Sequence, residues 1–75
     1  MRTVWAANLR AARKAAGLTQ TALAERLGTT QQAVAKWESG RGVPRDETRW
    51  RLAEALGVPV TQIFAPPGNG GTEAA

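Results

Sequence analysis

Three glycines divide this chain before any other feature does. Gly17, Gly28 and Gly57 each follow a run in which apolar side chains recur at three- and four-residue spacing. Glycine is the usual residue just past a helix, because it takes the left-handed backbone that closes the last turn at no steric cost. The chain therefore reads as a series of short helices, with no strand-like alternation and no internal repeat.

From about Thr3 to Ala16 the chain is rich in alanine and arginine, and Trp5, Leu9, Ala12 and Ala16 fall on one helical face. Thr19 is a natural N-cap for a second helix, Gln20 to Leu27, with Ala22, Leu23 and Leu27 inward. Thr29 or Thr30 caps a third helix that runs to about Trp37 or Glu38, with Val34 and Trp37 inward. The glycines and proline of residues 39–44 predict a loop. Asp46 and Glu47 suit the first turn of a fourth helix, where acids complement the dipole, and Leu52, Ala53 and Leu56 give it an apolar face. Beyond Pro59, Val60 to Phe64 predict one short fifth helix that buries Ile63 and Phe64. The expected fold is all-α, a compact bundle of five short helices over residues 1–65. The Pro- and Gly-rich residues 66–75 are expected to form a disordered tail.

Composition closes off several classes of function. At 75 residues there is room for one domain with a modest core. The chain has no cysteine and no histidine, so disulfides, thiolate metal sites, the usual zinc sites and nucleophile–histidine catalysis are all excluded. No glycine-rich phosphate loop is present, and Asp46, Glu47 and Glu54 read as capping and surface charges. The expectation is no enzyme and no cofactor. Apolar runs fall far short of a membrane span, and Asn8, Arg10, Arg13 and Lys14 interrupt any signal-peptide core, so a cytoplasmic location is expected. The net charge of +4 and a pI near 11.2 favour polyanionic partners through release of phosphate counterions.

Residues 19–38 turn that charge into a sharper expectation. A helix, a tight turn at Gly28 and a second helix opening with two glutamines are the layout of a helix-turn-helix. In that layout the second helix lies in the DNA major groove with its first residues facing the base edges. A glutamine amide carries both donor and acceptor, so it can bond adenine N6 and N7 together.

The ordered set Gly17-Leu18-Thr19-Gln20, Leu23-Ala24, Leu27-Gly28, Val34, Trp37-Glu38, Gly40, Pro44 and residues 52–58 resembles the lambda-repressor-like family of phage repressor and Cro proteins. The resemblance covers residues 5 to 64. It implies that Gln31, Gln32 and Lys36 read bases, Lys36 lying one turn beyond Gln32 on the same face. Some lambdoid repressors with this helix opening carry glutamine where Lys36 stands, whereas lysine prefers guanine O6 and N7 or a phosphate, so their operator does not transfer. The resemblance further implies that Gln20, Thr30, Ser39, Arg41 and Arg10 hold phosphates, with Arg45 a further candidate. Arg13 and Glu38 correspond to a largely buried salt bridge between the first and third helices.

Two residues depart from the pattern. Arg49 stands where the family places an apolar core residue, and either it snorkels along its stem or the helix is rotated so that Trp50 becomes core. Alternatively Trp50 joins Val58, Pro59 and Val60 in a patch that contacts a partner subunit. The expected function is a sequence-specific double-stranded DNA-binding regulator, a repressor, acting as a weak homodimer on a two-fold symmetric operator. The alternative is a protein-interaction module of the same fold, of antitoxin, anti-repressor or co-activator type.

Overall fold

The computed structural model describes residues 4–64, and the expected tail at residues 66–75 lies outside them. Those residues form five helices: α1 (Val4–Ala15), α2 (Gln20–Leu27), α3 (Gln31–Glu38), α4 (Asp46–Leu56) and α5 (Val60–Ile63). The all-helical architecture follows the sequence reading closely, and the local chemistry explains the boundaries. Thr19 and Thr30 cap α2 and α3 by accepting hydrogen bonds from the backbone N–H of Ala22 and Ala33, at 3.0 and 3.1 Å. Gly28 ends α2 at φ 71° and its neighbour Thr29 donates back to the Ala24 carbonyl at 2.9 Å. Gly57 and Val58 repeat this closure on α4.

The core is made by side chains from all five helices. Leu9, Leu23, Val34, Leu52 and Ile63 are fully buried, surrounded by Ala12, Ala24, Leu27 and Leu56. Removing each of the larger ones from water contributes roughly 1.5–3 kcal/mol. The short α5 is held against α1 by more than its apolar residues: the Asn8 side chain donates to the Ile63 carbonyl at 3.3 Å, and Trp5 stacks on Phe64 with ring centroids 5.7 Å apart.

Five inward readings shift, Trp37 being half-buried where it packs against the core. Ala16 lies in the turn after α1 and is exposed, because α1 closes at Ala15; Ala6 and Arg13 take the buried positions on that face instead. Phe64 is half-buried rather than buried, lying at the end of the last turn under Trp5 and Arg49. Ala22 is only half-buried, the adjacent Ala24 being the buried alanine of α2. Trp50 is 64% exposed and is not core. Arg49 keeps the inner position: its Nε donates to the Pro44 carbonyl at 3.2 Å, and its guanidinium lies 5.3 Å from the centre of the Phe64 ring. An aromatic face accepts a cation, so Arg49 covers the core edge without losing solvent at its tip.

Candidate nucleic-acid interface

Helices α2 and α3 open with the same pair of residues, Thr19-Gln20 and Thr30-Gln31. Each threonine is the cap and each glutamine the first helical residue, so the two glutamines leave the N-terminal ends of their helices. The fold brings them together. Gln31 Nε2 donates to Gln20 Oε1 at 2.7 Å, and Gln20 Nε2 donates to Glu38 Oε1 at 3.0 Å.

Behind Gln20 lies the ion pair between α1 and α3. Arg13 Nε donates to Glu38 Oε2 at 2.6 Å and its Nη2 to Oε1 at 3.1 Å, while Nη1 donates to the Leu18 carbonyl at 2.8 Å. The side chains are 10% and 4% exposed. Glu38 is the last residue of α3, where the helix dipole disfavours a carboxylate. Three donors from Arg13 and Gln20 converge on it and offset both that effect and its desolvation. A continuous chain of hydrogen bonds thus runs from a buried guanidinium to the exposed amide of Gln31.

Gln32 is exposed beside Gln31, and Lys36 is exposed one turn further on. Gln31, Gln32, Ala35, Lys36 and Arg41 line an open groove of about 540 Å³. The loop after α3 supplies Arg41 to it. Ser39 Oγ donates to the Lys36 carbonyl at 2.8 Å and accepts from Arg41 Nε at 3.3 Å. Thr30 is exposed at the opening of α3, with its hydroxyl oxygen accepting the capping bond. Arg10 is exposed on α1, and Arg45 is exposed at the start of α4. Gln20, Gln31, Gln32, Lys36, Ser39 and Arg41 are therefore linked through shared bonds or one groove. The geometry gives no such link for Arg10 or Arg45.

The bonds of Gln20 to Gln31 and to Glu38 were not anticipated from sequence. The available signal was the repeated Thr-Gln at two helix openings eleven residues apart. Ala35 was also missed as a groove residue, although it stands one turn after Gln31. Pro59 is exposed while Val58 and Val60 are half-buried, Val58 packing against the core. Among the described residues no group of three or more acidic, cysteine or histidine residues is placed to hold a metal, and no helix is long and apolar enough to cross a membrane.

Comparison with known proteins places this arrangement. A helix-turn-helix family profile, HTH_3, matches residues 9–63. An uncharacterized HTH-type transcriptional regulator of Sinorhizobium fredii is 36% identical over 66 residues, covering 88% of this chain and 86% of the relative. One of Methanothermobacter thermautotrophicus is 47% identical over 49 residues, covering 65% and 71%. Among solved structures, a hypothetical transcription factor from Neisseria superposes with a TM-score of 0.78 at 31% identity, covering 89% of this chain and 77% of the other. An HTH_3 family transcriptional regulator from Vibrio cholerae superposes with a TM-score of 0.75 at 27% identity; this chain spans 89% of its own length but 38% of that protein. From residue 9 to residue 63 the chain belongs to the HTH_3 helix-turn-helix family.

Proposed function

We propose that this protein is a transcriptional regulator that binds double-stranded DNA by sequence, acting as a repressor from a cytoplasmic location. One observation carries the reading. Gln31 stands at the opening of α3 with its amide already oriented by Gln20, next to the exposed Gln32 and Lys36. An amide fixed before binding loses less entropy when it meets a base edge, and that difference appears as specificity.

The residues divide into two jobs. Gln31, Gln32 and Lys36 read base edges in the major groove. Gln20, Thr30, Ser39, Arg41 and Arg10 hold phosphates and set the register. Gln20 keeps one amide hydrogen beyond the one given to Glu38, and it sits where two positive helix ends converge, a favourable place for an anion. The Arg13–Glu38 pair fixes α3 relative to α1.

One α3 covers only a few base pairs, too few for discrimination in a genome, so two copies bind a two-fold symmetric operator with half-site centres about 34 Å apart. Trp50, Val58, Pro59 and Val60 form the contact between copies. A patch of four residues gives a weak dimer that assembles on DNA. The exposure of Trp50 also suits the second reading, a module that holds another protein.

Selection from a random double-stranded library tests the proposal. The expected result is one enriched motif with two-fold symmetry and a spacing near ten base pairs. Binding that is equal on all sequences would leave the protein-interaction reading in its place.

A further inference from the structure

The geometry points to Gly42 as a positioning residue for Lys36, a role that rests on the DNA-binding reading above. Five glycines lie among the described residues. Gly17, Gly28, Gly40 and Gly57 have φ between 70° and 80°, where a side chain is strained. Gly42 lies outside that region, so its backbone does not require glycine. What it supplies is space. A Cβ added at Gly42 would lie 3.2 Å from Lys36 Cγ and Cδ and 3.3 Å from Cε, tighter than ordinary contact. Three consecutive carbons of the lysine stem rest on the bare glycine.

The loop is built to return over this lysine. The Lys36 carbonyl accepts both the Arg41 backbone N–H at 3.1 Å and the Ser39 hydroxyl at 2.8 Å. The same loop that receives the backbone of Lys36 therefore also receives its stem. Lysine is a flexible chain with a strongly hydrated tip, and unrestrained it selects poorly between neighbouring acceptors. With its stem laid along Gly42, Lys36 lines the groove shared with Gln32 and Arg41. Gly42 thus contributes to base selection without touching DNA.

The experiment compares the full chain, Gly42→Ala, Lys36→Ala and the double variant by library selection, affinity for random DNA and thermal melting. Lys36→Ala is expected to lower preference at one base pair by about tenfold. Gly42→Ala should lower preference at that same base pair by several-fold and leave random-DNA affinity unchanged. In the Lys36→Ala background it should do nothing further. Gly42→Ala matching the unaltered chain, or acting equally with and without Lys36, would overturn the inference, as would a Lys36→Ala profile with every base preference intact. If Gly42→Ala lowers the melting temperature, adding Lys36→Ala should restore it, because the atoms the methyl meets are then gone; failure to restore places the role of Gly42 in the loop alone. An unaltered chain that selects no motif removes the DNA-binding reading and this inference with it. A selecting chain whose Gly42 variant is inert removes this inference only.

Discussion

Arg13 and Arg49 both lie on the inward side of a helix, and the fold treats them differently. Arg13 is tied at three nitrogens, to two oxygens of Glu38 and to the Leu18 carbonyl, with its side chain 10% exposed. Arg49 is 36% exposed; it makes one bond at 3.2 Å to Pro44, reaches Asp46 only at 3.9 Å, and otherwise lies over Phe64. Hydrogen bonds to a buried carboxylate are directional, whereas a cation over a ring tolerates sliding. The seam between α1 and α3 is therefore set in one geometry, and the seam between α4 and α5 is covered loosely. The first seam lies behind Gln20 and Gln31. The second lies on the element that carries the exposed Trp50.

The contrast is easiest to break at Glu38. Glu38→Ala leaves Arg13 buried without its carboxylate and frees Gln20, and should cost roughly 3–5 kcal/mol of stability. Replacing both partners, Arg13→Met with Glu38→Leu, should recover most of that loss, because two unpaired polar groups are removed together. Denaturant melts of the single and double variants measure it. Additive losses of a few tenths of a kcal/mol would mean the pair is not coupled.

The next largest effect falls on binding. Gln31→Ala or Gln32→Ala should cost roughly 1–3 kcal/mol at the selected site and relax preference at one or two base pairs. Because Gln20 orients Gln31 and not Gln32, Gln20→Ala should be strongly non-additive with the first change and nearly additive with the second. Titrations on selected and random DNA measure both. Equal loss on the two DNAs would assign the glutamines to general affinity.

The helices and the exposed side of α3 were legible in the sequence because caps, glycine stops and apolar spacing are local signals. Thr30, Gly28 and Gly57 show their role within one turn of chain. Gln20 is different. Its partners Gln31 and Glu38 are 11 and 18 residues away, and only the packing of α2 on α3 makes them neighbours. Ala16 failed for a related reason: periodicity continues past the place where a helix closes, so spacing alone assigns one residue too many. At Arg49 and Trp50 the pattern offered two rotations of α4. A guanidinium can cover an aromatic face, so the usual preference for burying the tryptophan lost.

Arg49 sharpens the comparison by the smallness of its expected effect. Arg49→Met keeps a stem of similar shape over Phe64 and removes the charge. It should change stability by about 0.5–1 kcal/mol, the range of a solvent-accessible cation over a ring. A loss as large as that of Glu38→Ala would show that the two seams are equally fixed.

The smallest expected change in stability is at Trp50, and there the absence of an effect is informative. An indole that is 64% exposed buries little area, so Trp50→Ser should shift the melting temperature by no more than an exposed substitution does, within about 0.5 kcal/mol. The same residue lies in the patch proposed to join two copies on DNA. Cooperativity on a two-half-site operator should therefore fall while affinity for an isolated half-site stays the same. Sedimentation of the free protein should show a monomer before and after the change, since so small a patch gives a dimer only when DNA holds both copies close. A titration with one half-site scrambled separates the possibilities. If scrambling costs the unaltered chain its cooperativity and costs the variant nothing, the loosely covered end of the molecule is the end that meets a second copy. If both chains bind intact and scrambled operators alike, Trp50 has no part in assembly and its exposure belongs to contact with a different protein.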